Sequence, residues 1–127
     1  MSKKIISTKD APAAIGPYSQ AVQAGPFLFC SGQIPLDPAN GQLVPGDVSA
    51  QAKRVLENIV SLLKAGGATL DHVVKSTIFL KSMNDFAAVN EVYGSYFKTN
   101  PPARSTVEVA RLPKDVLVEI EVLAYLG

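Results

Sequence analysis

Near the C-terminus an arginine, a hydroxyl and two carboxylates stand at alternating positions. Arg104 and Thr106 lie in residues 102–109, Glu119 and Glu121 in residues 116–126. Both stretches alternate with period two, so each reads as a strand with two chemically different faces. Residues 111–115, with a proline and an aspartate, read as the turn of a hairpin between them. The register that matches apolar faces sets Val107 beside Val118, Val109 beside Val116 and Thr106 beside Glu119. Arg104, Thr106, Glu119 and Glu121 then share one sheet face. A guanidinium fork binds a planar carboxylate bidentately, and a nearby carboxyl group can move a proton. The pattern therefore suggests a small-anion site with an acid/base group attached. The plainer alternatives are an ion pair between Arg104 and Glu121 and a solvated Glu119.

Those strands need a scaffold. Ile5-Ile6 reads as a short strand, 18–24 as a second, and 27–30 as its returning partner across Gly25-Pro26. Residues 31–35 are expected to leave the sheet, because Pro35 cannot donate to a ladder. Asp37-Pro38-Ala39-Asn40-Gly41 is a turn cluster. Asp47 is a plausible N-cap for a helix to about Ala65 with one apolar face, stopped by Gly66-Gly67. Val73 to Leu80 is a β-branched strand, and Asn84 is expected to cap a second helix ended by Asn100-Pro101-Pro102. The order is βββαβαββ, an α+β domain over 1–127 with two helices on one face of a single mixed sheet. The uncovered face would carry Leu117, Leu123 and Tyr125, which favours self-association.

The chain has 127 residues, a net charge of +1, one cysteine and one histidine. That balance gives no electrostatic footprint for nucleic acid. No apolar run approaches the roughly 20 residues of a membrane span. One cysteine cannot form an intrachain disulfide, so a reducing cytoplasmic compartment is the default. Cys30 reads as a small buried hydrophobe and His72 as a surface residue, and neither has a second ligand at metal-binding spacing. Tyr18, after Gly16-Pro17, reads on spacing as core packing more readily than as a site residue.

Ser31-Gly32-Gln33-Ile34-Pro35, Pro102-Ala103-Arg104-Ser105 and Val107-Glu108-Val109-Ala110-Arg111-Leu112-Pro113 resemble the RidA (YjgF) family of imine deaminases, from about Ile5 to the C-terminus. The resemblance implies a chorismate-mutase-like fold and homotrimers with sites in clefts between subunits. It also implies hydrolysis of 2-imino acids such as 2-iminobutanoate and 2-iminopropanoate, or their enamines, to 2-keto acids and ammonia. By the same resemblance Arg104 would bind the substrate carboxylate and Glu119 would position or activate water. Tyr18 would come from a neighbouring subunit, and backbone groups around Ser31, Gly32 and Thr106 would bind substrate. A protonated imine is already electrophilic, so no metal, cofactor or covalent nucleophile is required. Thr106 departs from the cysteine of many members, which fits water as the nucleophile. Some members are described as ribonucleases or translation inhibitors, but this chain lacks a histidine pair and its basic residues are scattered. A silent trimer that senses small carboxylates or holds unfolded clients is the remaining class.

Overall fold

The computed structural model describes residues 2–127, and its regular elements follow the predicted order. The strands are β1 (Lys4–Ile6), β2 (Ala21–Ala24), β3 (Phe27–Gln33), β4 (Val73–Leu80), β5 (Ala103–Glu108) and β6 (Val118–Tyr125). The helices are α1 (Val48–Ala65) and α2 (Phe86–Tyr96). Asp47 caps α1 by accepting the Ala50 N–H at 3.0 Å. Gly66 ends it, donating to the Leu62 and Leu63 carbonyls, and Gly67 turns the chain away at φ +81°. Asn84 is not the cap of α2: Ser82 caps a short 3₁₀ turn, Met83–Asp85, and α2 follows without a side-chain cap.

One six-stranded sheet holds everything, in the order β1-β2-β3-β6-β4-β5. The expected hairpin of β5 with β6 does not form, because β4 lies between them. β4 pairs with β5 in parallel, Ser76 beside Arg104 and Ile78 beside Thr106, and with β6 antiparallel, Ile78 beside Ile120 and Phe79 beside Glu119. The physical reason is the strand–helix–strand unit β4-α2-β5, whose crossover returns the chain parallel to β4 and lets α2 pack on the sheet. Residues 111–115 are thus a crossing over the end of β4. Lys114 and Asp115 both take left-handed backbone (φ 54° and 56°) there, and Asp115 pairs with Lys81 at 3.0 Å.

A second correction concerns residues 31–33, which stay in β3. A bulge between Cys30 and Gln33 keeps the strand paired with β6, Cys30 beside Val122 and Gln33 beside Ile120. The extra residue bends the strand and re-aims its side chains.

Both helices cover one face. Leu56, Ile59, Leu62 and Leu63 of α1 and Val89 and Tyr93 of α2 pack with Leu28, Ile78, Leu80, Val118, Ile120 and Val122. Each fully buried aliphatic side chain contributes roughly 1.5–3 kcal/mol through burial. The opposite face is open. Phe27, Phe29 and Tyr125 stand exposed there, with Tyr125 beside Phe27 and Leu123 beside Phe29. Leu117, expected on that face, instead packs partly buried against the core.

Candidate functional site

Glu119 alternates with the buried Val118 and Ile120, so its side chain stands on the open face. Across the sheet the bulged backbone of Gly32 makes room for it. A Cβ at Gly32 would lie 3.0 Å from Glu119 Cδ and 3.2 Å from Cγ, and closer still to Oε2. Burial holds the Glu119 carboxyl above the usual carboxylate range, and the charge of Glu121 adds to the rise. A carboxyl so placed is better matched to proton transfer near neutral pH.

Ser31, next to Gly32, ties this corner to the loop before β2. Its hydroxyl donates to the Ser19 carbonyl at 2.6 Å and its N–H to the Gln20 carbonyl at 2.9 Å. The Ser31 N–H is therefore spent within the chain. Buried Gln20 holds the far side of the same loop, bonding Thr8, Ala11 and Pro12. Tyr18 projects from this loop, 54% exposed, beside a cleft of about 880 Å³ whose lining includes Thr8, Lys9 and Pro38. Neither Arg104 nor Glu119 lines that cleft.

Arg104 and Thr106 face the other way, on the helix-covered side with their ladder neighbours Ser76 and Ile78, both 1% exposed. Arg104 Nη1 donates to Asn90 Oδ1 at 2.8 Å. Its guanidinium carbon lies 5.0 Å from the centre of the Tyr93 ring and 5.7 Å from that of Phe86. Phe86, Asn90 and Tyr93 recur at helical spacing, so one face of α2 is turned to this arginine. The Arg104–Glu121 ion pair does not form; Lys81–Asp115 is the one salt bridge among the described residues. Thr106 Oγ1 is buried without a hydrogen-bond partner. The Val109 N–H donates to Leu80 O at 3.0 Å, and alternation along the parallel ladder turns the Thr106 N–H toward the free edge of β5.

Within one chain, then, the predicted residues form two groups. Ser31, Gly32 and Glu119 belong to one, Arg104 and Thr106 to the other, and the sheet separates Arg104 from Glu119. Tyr18 stands apart on the loop before β2, beside its own cleft. The single face expected to hold Arg104, Thr106, Glu119 and Glu121 rested on the hairpin register, and it fails with that register. The arginine's own neighbours, Phe86, Asn90, Tyr93 and Ser76, were not anticipated. The helical spacing of Phe86, Asn90 and Tyr93 was visible in the sequence, but nothing there said which strand they would meet. His72 Nδ1 accepts the Thr69 N–H in a cap. Burial pushes the Cys30 thiol up to about 12, far from a reactive thiolate. Among the described residues no cluster of His, Cys, Asp and Glu could hold a metal ion, and no helix is long and apolar enough to cross a membrane.

Residues 8–126 match the family model described as Endoribonuclease L-PSP. A RutC family protein from Pyrococcus horikoshii is 58% identical over 97% of this chain and 98% of its own length. The mouse 2-iminobutanoate/2-iminopropanoate deaminase is 53% identical over 98% of this chain and 93% of its own. The crystal structure of E. coli TdcF with bound serine superposes with a TM-score of 0.93 at 47% identity, covering 98% of this chain and 99% of that one.

Proposed function

The chain belongs to the Endoribonuclease L-PSP family, the RidA (YjgF) family its motifs resemble, and from that premise we propose that it hydrolyses 2-imino acids to 2-keto acids and ammonia. The observation that carries this reading is an arginine held by neutral partners only. Asn90 and two aromatic faces fix Arg104 without neutralising it, and no carboxylate among the described residues pairs with it. Such a guanidinium keeps donors for an incoming carboxylate. The mouse relative's name and the serine in the E. coli relative, a small α-amino carboxylate, support the same substrate class.

In this mechanism the substrate carboxylate docks on Arg104 and the free amide of Thr106. Glu119 of a second subunit takes a proton from water, which attacks C2 of the protonated imine. Glu119 returns that proton to the nitrogen of the tetrahedral adduct and takes the hydroxyl proton as the C–N bond breaks, so the ketone and ammonia leave together. General-base help of this kind is worth about 10²–10⁴-fold. Arg104 and Glu119 lie on opposite faces of one sheet, so this reading requires a second copy. The exposed Phe27, Phe29 and Tyr125 supply an apolar face for it, and a homotrimer is the assembly proposed.

The test generates 2-iminobutanoate or 2-iminopropanoate in situ and follows keto acid and ammonia. Faster release than in buffer is expected, with no metal added. No acceleration by the assembled protein would overturn the proposal. RNA cleavage without imine turnover would replace it with the activity in the family's descriptive name.

A further inference from the structure

Ser76 Oγ and Tyr93 Oη lie 2.5 Å apart in a part of the core where both residues are almost wholly buried. Ser76 is also the ladder neighbour of Arg104, on the same face of the sheet. The Tyr93 ring also packs against that of Phe97, with centroids 4.6 Å apart. It thus cannot tilt away from the guanidinium, 5.0 Å above it, without breaking the Ser76 bond or leaving Phe97. One turn earlier on α2, Asn90 occupies a single nitrogen of the fork. Together these contacts constrain the guanidinium through its face and through one of its nitrogens.

We infer that Tyr93, locked by Ser76, is a positioning residue that fixes the guanidinium plane of Arg104 for bidentate capture of a carboxylate. The inference rests on the proposed function for its ligand, but the pose of Arg104 is a property of the free protein. Burial raises the Tyr93 phenol above its ordinary range, so it stays protonated and can donate to Ser76. A ring face beneath a cation is worth about 0.5–2 kcal/mol, or roughly two- to thirtyfold in affinity.

Two readouts test it. Arginine side-chain NMR of the free protein reports the ring-current shift and hindered rotation of the Arg104 guanidinium, and titration with 2-oxobutanoate reports carboxylate capture. Tyr93→Leu should abolish the shift, speed the rotation and weaken 2-oxobutanoate binding by about three- to tenfold. KM for the imine should rise with it, more than kcat falls. The Ser76→Ala/Tyr93→Phe double variant removes both partners of the buried bond and keeps the ring. It should fold, speed guanidinium rotation and weaken binding about two- to threefold. It decides the matter if Tyr93→Leu does not fold. A variant that loses melting temperature while Arg104 keeps its shift, rotation and affinity would overturn the inference. Failure of the parent protein to bind 2-oxobutanoate or turn over imine would overturn the proposed function instead, and the NMR of Arg104 would still decide the positioning role.

Discussion

Gly32→Ala isolates the contact on which the base half of the site depends. Gly32 is not among the positive-φ glycines, so alanine brings no backbone strain of its own. What it brings is a methyl group 3.0 Å from Glu119 Cδ and nearer to the carboxylate oxygen. Two responses are open. If the backbone holds and Glu119 swings away, turnover loses the base and falls by about 10²–10⁴-fold, while 2-oxobutanoate still binds. If Glu119 holds, the overpacking costs roughly 1–3 kcal/mol of stability. Either way the damage runs through one side chain. Glu119→Ala should therefore relieve it, and the double variant should be no less stable than Glu119→Ala alone. Urea unfolding of the four proteins gives the coupling energy, expected at about 1–3 kcal/mol, and the imine assay gives the catalytic half. Wild-type turnover and stability in Gly32→Ala would refute the contact. Equal destabilisation with and without Glu119 would place the cause in the β3 backbone.

Three other substitutions probe the remaining groups. Arg104→Lys keeps the charge but loses the fork, so imine turnover should drop about ten- to hundredfold, the scale of one charge-assisted hydrogen bond; near-native kinetics would remove Arg104 from substrate binding. Glu119 carries a raised pKa in the folded protein, so between its unfolded and folded values the native state binds the extra proton and stability falls as pH rises. Glu119→Gln should thus melt higher than the parent at neutral pH and lose that advantage below the unfolded value, and thermal melts that show the reverse order would contradict the cause given. In the same window kcat/KM of the parent should rise with pH. Thr106→Val removes a buried hydroxyl that has no partner, so stability should rise by about 1 kcal/mol, with turnover within roughly fivefold of the parent. A dead but folded valine variant would give the hydroxyl a direct chemical role.

Local patterning carried the elements and not their neighbours. The apolar stripe of α1 and its Asp47 and Gly66 boundaries were readable because capping and helical periodicity are local. β4 was readable over its full length, Val73–Leu80, for the same reason. The pairing of β5 was not, since a period-two pattern names two faces without saying which strand lies beside them. Val107 looked like a core residue on that pattern, yet it is 40% exposed, and Arg104 occupies the helix side. Ser31-Gly32-Gln33 looked like a departure from the sheet because a bulge and a loop use the same permissive residues. The motif resemblance named Arg104 and Glu119, but only the topology shows that one chain keeps them apart.

That separation gives the most direct test of a site shared between subunits. Arg104→Ala and Glu119→Gln are each expected to be inactive alone. Unfolded together in equal amounts and reassembled, they should form mixed trimers in which a junction joins an intact Arg104 to an intact Glu119 of the neighbour. Random assembly puts such a pair at roughly one site in four, so imine hydrolysis should recover to about a quarter of the parent rate. Recovery to that level is the predicted result. Mixed trimers, verified by mass, with no more activity than either variant alone would contradict a site built from Arg104 of one chain and Glu119 of another.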